Sequence, residues 1–405
     1  MRFLNAPRGG ALKILRPPEL SHRAIALKPS LTLEISAKAK ALQVEGRDIC
    51  SLSAGEPDFN TPDFIVEAAR EALLQGITRY GPAAGDPELR AALADKLSQE
   101  NGIATRPEQV LICNGGKQAI YNLFQVVLNP GDEVLLPSPY WLSYPEMAAL
   151  AGASTVLIPS SASDGFRLDL DALEARITPK SRLLVINSPG NPTGRVMQRQ
   201  DIEALAELVA RHPNLLVMSD EIYEYLLADG EQHISFASIS ETLKDRCFTV
   251  NGFAKGWAMT GWRLGYLAGN ATVIKAASAL QSQSTSNVCS FAQKGALAAI
   301  QGSRDCVNDM ARSYNLRRDL LIDGLQAIPG ITLIPPKGAF YAFPQLPERV
   351  TDSMEFCRRA LEDEGLAVVP GVAFGDDRCI RLSCAVSRET ITTGLERLQR
   401  TLSQF

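Results

Sequence analysis

The sequence predicts an α/β fold: a mostly parallel sheet covered by helices on both faces, followed by a smaller α+β part. Three observations lead there. Short apolar, β-branched runs alternate with amphipathic helical stretches from residue 60 onward, the pattern of strand–crossover–strand units. The runs are nearly continuous in apolar residues, as strands buried on both faces require. The chain has 405 residues, 45% hydrophobic and 21% charged, an ordinary globular usage that excludes wholesale disorder.

The elements follow in order. Residues 1–20 (MRFLNAPRGGALKILRPPEL) carry four basic side chains before the first acid, Glu19. They read as a frayed N-terminal arm; a targeting peptide is the sharper alternative, but the stretch is short, lacks serine and has no amphipathic pattern. Residues 62–75 open with Pro62 and Asp63 and repeat apolar residues at helical spacing. VLICN (110–114) is a strand that meets Gly115-Gly116, and KQAIYNLFQVVL (117–128) continues as a helix. EVLLP (133–137), STVLIP (154–159), RLLVIN (182–187), LLVMSD (215–220) and CFTVN (247–251) are buried strands, with helices such as DIEALAELVARH (201–212) between most of them. A long charged helix spans 304–328. ITLIPP, GAFYAFP, LAVVP and CIRLSC follow, with helices at 352–364 and 387–403.

Several functions lose their support. Net charge is −4, from 41 basic and 45 acidic residues, so there is no basic footprint for nucleic acid. No apolar run exceeds five residues, so neither a membrane span nor a secretory core is expected. Eight cysteines without a C-x-x-C pair, and three scattered histidines, give no zinc cage and read as small buried hydrophobes in a reducing, cytoplasmic setting. No G-x-G-x-x-G, H-E-x-x-H or G-x-S-x-G occurs, and GWAMTG (256–261) is followed by Trp262 where a nucleotide loop needs lysine.

Sheets of this class bind ligands beyond the carboxyl ends of their strands. Four of those ends carry unusual residues: Gly115-Gly116-Lys117, SPGNPTG (188–194), Asp220-Glu221-Ile222-Tyr223 and Gly252-Phe253-Ala254-Lys255. Together they fit pyridoxal phosphate, which needs an amine, an acid for its pyridinium nitrogen, a phosphate cradle and a flat neighbour. Lys255 sits among Phe253, Ala254, Gly256 and Trp257, too apolar a setting for a solvated surface lysine, and such burial lowers an amine's pKa. Asp220 after a strand could be a helix cap; with Tyr223 three residues on, it suits the pyridine nitrogen, and Tyr223 the ring oxygen. Asn191 is a turn residue by default, or a donor to the same oxygen. Gly116 and Lys117 open a helix whose free N–H groups suit a phosphate, with Arg263 to grip it. Trp141 is a core aromatic or a ring cover.

The chain resembles class I aminotransferases of fold type I, and more closely the bacterial aspartate aminotransferase subgroup that includes prephenate aminotransferases. The matching segments are AGEPDFNTP (54–62), RYGPAAGDPELR (79–90), NGGKQAIYNLFQ (114–125), SPYWLSYPEM (138–147), NSPGNPTG (187–194), SDEIYEYL (219–226), NGFAKGWAMTGWRLGY (251–266), KGAFYAF (337–343) and IRLSCA (380–385). The resemblance implies a seven-stranded sheet, a large cofactor domain at 60–310, and a small domain made of 21–59 and 311–405. It implies a ping-pong transfer between amino acids and 2-oxo acids in a homodimer with shared sites. Lys255 would form the Schiff base, Asp220 pair with the pyridine nitrogen, Tyr223 and Asn191 with the ring oxygen, and Trp141 stack. Gly116, Lys117, Arg263 and Tyr80, the last from the neighbouring subunit, would hold the phosphate. Arg381 would clamp the α-carboxylate with Gly55 and Asn191. Lys117 would serve a distal carboxylate, since QSQSTSN (281–287) offers no cation, and Thr32 would accompany it in members that accept prephenate. Gly252 and Ala254 stand where many members have serines. A β-lyase or synthase on the same scaffold, and a ligand-binding regulator, are the alternatives.

Overall fold

The computed structural model describes residues 19–27 and 29–405; of the expected arm at 1–20, all but Glu19 and Leu20 lies outside these residues. The large sheet has seven strands in the order Val110–Cys113, Gly265–Ala268, Cys247–Gly252, Leu216–Asp220, Ser181–Asn187, Glu133–Pro137 and Ser154–Ile158. Gly265–Ala268 runs antiparallel to both its neighbours, and the remaining pairings are parallel. Both faces are covered. Val134 and Leu136 join one core with Leu123, Phe124 and Val185, while Leu135 joins the opposite core with Leu184, Leu205 and Val217. Adjacent strand residues point to opposite sides of a pleated sheet, so an apolar run fills two cores at once.

Six of these strands lie on the apolar runs of the sequence. Gly265–Ala268 does not stand out there, because it is four residues long and begins with glycine. Glycine is a poor strand former, and close backbone approach is what selects it. A Cβ on Gly252 would fall 2.8 Å from the Gly265 Cα, and one on Gly265 would fall within 2.5 Å of the Gly115 carbonyl carbon. The same contact explains why serine is absent at position 252.

Helices Asp63–Leu74, Gly116–Val127, Arg199–Ala210, Asp305–Gln326, Ser353–Asp363 and Arg388–Leu402 fall on the expected stretches. Side-chain caps fix several starts: Asp352 accepts from Glu355 N at 2.9 Å and Ser387 from Thr390 N at 3.1 Å. The helix Leu31–Val44 was not evident from periodicity. Its apolar residues are spread around it, and Leu33 and Val44 are exposed. Its anchor is a small cluster of Ala39, Ile49, Leu361 and Ala367, with Ile35 and Leu42 packed against it.

The remaining part is small and mixed. Tyr341–Ala342, Ile380–Ser383 and Val369–Pro370 form an antiparallel sheet, and Cys50–Ser51 pairs in parallel with Leu366–Ala367. Within ITLIPP, Thr332 makes an isolated bridge to Gln345 rather than a strand. One core joins Cys50 and Leu52 to Leu321, Phe356, Ile380 and Leu398, and reaches Tyr223 and Ala258 of the large sheet's loops. The eight cysteines are free thiols, and six of them are buried. Among the described residues no helix is long and apolar enough to cross a membrane.

Candidate active site

Parallel pairing sets the floor of the site. Asn187 and Asp220 end adjacent strands and stand opposite each other in register. Asn187 Nδ2 donates to the Asp220 carbonyl at 2.9 Å, while its Oδ1 accepts from Asn191 N at 2.8 Å. One amide thus ties the SPGNPTG loop to the strand that carries the acid. Asp220 is buried, and its Oδ2 accepts from Tyr144 Oη at 2.7 Å. Burial pushes the Asp220 carboxyl up to about 6, although the Tyr144 hydroxyl pulls the other way. A carboxylate held this dry accepts a cationic N–H readily.

The cradle lies at the end of Val110–Cys113. Gly115 adopts φ +83° and caps the helix Gly116–Val127. A Cβ there would fall 2.6 Å from Arg263 Nη2, so the dihedral selects glycine and a side chain would also displace the guanidinium beside it. Arg263 donates to the Thr260 carbonyl at 2.9 Å and forms no ion pair among the described residues. First-turn N–H groups of a helix have no intrahelical acceptor. Free N–H groups, a helix N-terminus and an unpaired guanidinium together make an anion site of phosphate size.

Lys255 follows the end of Cys247–Gly252. Its Nζ donates to the Gly55 carbonyl and stands 5.6 Å from the Tyr223 ring centroid and 5.5 Å from that of Phe340. Desolvation, then the Arg381 charge, bring its pKa down to about 8. The amine therefore has a substantial neutral fraction near neutral pH, as a nucleophile or base needs.

Two further cations complete the cavity. Arg381 is 3% exposed. It donates to Asn191 Oδ1 at 3.0 Å and to the Ser53 carbonyl at 3.2 Å, and its Nε has no partner. Its guanidinium lies over Tyr341 at 4.4 Å and Phe374 at 5.0 Å. A buried guanidinium without an anion is a place prepared for a carboxylate. Lys117 Nζ lies 5.0 Å from the Trp141 ring centroid, with its pKa lowered by desolvation and by Arg263. Trp141 in turn meets Tyr144 edge-on at 5.2 Å.

These groups line one cavity of about 660 Å³, walled on another side by Thr32, Ser36, Ala39, Lys40 and Gln43 of the helix Leu31–Val44. Lys255, Asp220, Tyr223, Asn191, Trp141, Gly116, Lys117, Arg263, Arg381, Gly55 and Thr32 all border it. Tyr80 does not; it is 91% exposed. The residues present fit pyridoxal phosphate: the glycine-only cradle suits its phosphate, and the dry Asp220 its ring nitrogen. Three residues of the site carried no role in the sequence reading: Tyr144, Tyr341 and Asn187. Each lies inside a motif already quoted, but a hydrogen bond between distant segments has no sequence signature. A separate buried cluster, Glu221, Glu224 and His233, is filled by the protein's own donors. Lys96 Nζ binds Glu224 at 2.5 Å and Ser235 Oγ binds Glu221 at 2.6 Å.

Residues 47–398 match the family described as aminotransferase class I and II. A bifunctional aspartate aminotransferase and glutamate/aspartate-prephenate aminotransferase of Petunia hybrida is 46% identical, over 99% of this chain and 88% of its own length. An aspartate/prephenate aminotransferase of Thermus thermophilus is 46% identical, over 95% and 99%. The solved structure of a Thermus thermophilus aspartate aminotransferase with maleate superposes with a TM-score of 0.91 at 45% identity, covering 95% of this chain and all of that one.

Proposed function

This chain belongs to the class I and II aminotransferase family, and on that premise we propose that it moves an amino group between L-aspartate and 2-oxoglutarate on pyridoxal phosphate. It is a transaminase of fold type I. The observation that carries the substrate reading is a single cavity holding a neutralisable amine, Lys255, together with two cations, Arg381 and Lys117, that have no carboxylate partner among the described residues. A dicarboxylic amino acid supplies both missing anions, and burying either carboxylate unpaired would be costly.

Lys255 would anchor the cofactor, Asp220 face its ring nitrogen, and Tyr223 and Asn191 its ring oxygen. Trp141 would cover its face, while Gly116, Lys117 and Arg263 hold its phosphate with the partner subunit's Tyr80 in a homodimer. When bound, pyridoxal phosphate supplies an electron-withdrawing ring that accepts the electron pair left by the α-proton. Arg381 orients the α-carboxylate through paired N–H donors, with Gly55 and Asn191 beside it. Lys255 Nζ, neutral above about pH 8, would take the proton from the substrate α-carbon and deliver it to the cofactor carbon that receives the amino group. Ionised Asp220 favours a protonated ring nitrogen. The same residues serve both half-reactions, so one 2-oxo acid leaves before the second arrives. A reducing, cytoplasmic setting belongs to this reading, supported by the free cysteines.

A second acceptor, prephenate, is favoured by Thr32, which borders the same cavity as Lys117. A panel of amino donors against 2-oxo acids tests both readings. Aspartate with 2-oxoglutarate should turn over fastest and prephenate should accept an amino group from aspartate or glutamate. Release of ammonia and pyruvate in place of a paired 2-oxo acid would overturn the transfer reading. Borohydride treatment of the loaded protein should fix the label on Lys255.

A further inference from the structure

Tyr341 joins the two halves of the site. It lies opposite Ser383 in the antiparallel pair of Tyr341–Ala342 with Ile380–Ser383. Residues two apart on a strand share a face, so Arg381 projects from the same face as Ser383 and is the diagonal neighbour of Tyr341. That register places the guanidinium over the Tyr341 ring at 4.4 Å. The other end of the same ring meets the large sheet: its Oη lies 2.9 Å from Tyr223 Oη, with the rings edge-on at 5.8 Å. Both tyrosines are buried, at 1% and 3% exposure.

A phenol offers one proton and two lone pairs. Two phenols sharing one hydrogen bond therefore leave one proton committed and the other free. We infer that Tyr341 is a positioning residue that donates to Tyr223, frees the Tyr223 proton to point into the cavity, and reports to Tyr223 whether Arg381 holds a carboxylate. The direction follows from charge. A cation over the ring draws electron density from the Tyr341 oxygen and makes it the better donor. Burial raises both phenols, and the Arg381 charge, the foremost effect after burial on Tyr341, pulls that phenol back down. A carboxylate on Arg381 neutralises that pull, so the hydrogen bond to Tyr223 weakens as substrate arrives. Arg381, Asp220 and Lys255 also act on Tyr223 directly, and none of these depends on Tyr341, so the relay through Tyr341 is the part of the response that its hydroxyl carries.

The inference rests on the reading of Arg381 as the carboxylate clamp, and the test separates the two. Cofactor-free protein carrying isotope-labelled tyrosine is titrated with maleate, an unreactive dicarboxylate, while the Tyr223 resonance, assigned with Tyr223→Phe, is followed by NMR. The native protein should bind maleate and shift Tyr223. Tyr341→Phe keeps the ring under Arg381 and should bind maleate within about threefold of native, with the Tyr223 shift cut to less than about half. Tyr341→Leu also removes the ring and should bind maleate about tenfold more weakly. Bound maleate that shifts Tyr223 equally in Tyr341→Phe overturns the inference, as does an equal loss of affinity in the two variants. Undiminished maleate binding by Arg381→Leu removes the clamp assignment itself, and the inference with it.

Discussion

The two ends of the cavity are built differently. At one end Arg381 is buried, stacked on two rings and hydrogen bonded to Asn191 and Ser53. At the other, Lys117 rests on Trp141 without an ion pair among the described residues, facing a helix anchored by four small or aliphatic buried side chains. A rigid fork suits the group every amino acid shares, and a flexible ammonium suits the group that varies. The first end also acts on the chemistry from a distance, since Arg381 is the largest charge effect lowering the Lys255 amine, whereas Lys117 is not among its causes.

The strongest way to break this comparison is Arg381→Leu. It should lower kcat/KM for every donor by about 10²- to 10³-fold, the scale of losing one partner of a buried charged pair. It should also raise the Lys255 pKa. In cofactor-free protein the neutral amine is what acylating reagents attack, so native Lys255 should react half-maximally near pH 8 and lose reactivity as pH falls. The Arg381→Leu midpoint should lie higher. Lys117→Gln comes next. Aspartate should lose about 10- to 100-fold in kcat/KM, the range for a hydrogen bond to a charged group, while an aromatic donor changes little and the Lys255 midpoint stays in place. Equal losses for all donors would assign Lys117 to the cofactor alone. Removing Tyr144 from Asp220 by Tyr144→Phe should raise the Asp220 pKa above about 6, read by NMR of labelled aspartate, with about a tenfold loss of rate. The smallest effect belongs to Thr32→Ala: about two- to fivefold on prephenate, as for a neutral hydrogen bond, with aspartate unaffected in the same assay.

The fixed floor was easier to find in the sequence than the wall that faces it. Lys255, Asp220, Tyr223 and Asn191 each follow a buried apolar strand, and that juxtaposition of a greasy run with a polar residue is a local signal. Asn187 and Tyr144 were invisible because their roles are hydrogen bonds across 33 and 76 residues of chain. Tyr341 owes its place to strand register between short strands, which two residues cannot announce. Helix Leu31–Val44 escaped because its apolar residues form no single stripe, so the wall carrying Thr32 was reached through resemblance rather than periodicity. The strand Gly265–Ala268 escaped because its glycine serves a contact instead of a propensity.

That contact sets a tolerance for the whole cradle. Gly252, Gly265 and the Gly115-Gly116 turn are stacked backbone against backbone, with a Cβ on Gly265 falling within 2.5 Å of the turn. The position of the anion-binding N–H groups is therefore machined by bare peptide, and its accuracy does not depend on any side chain relaxing into place. Such a joint has no slack: a single added methyl at position 265 must push the start of helix Gly116–Val127 away from the sheet, and the seat proposed for the phosphate moves with it.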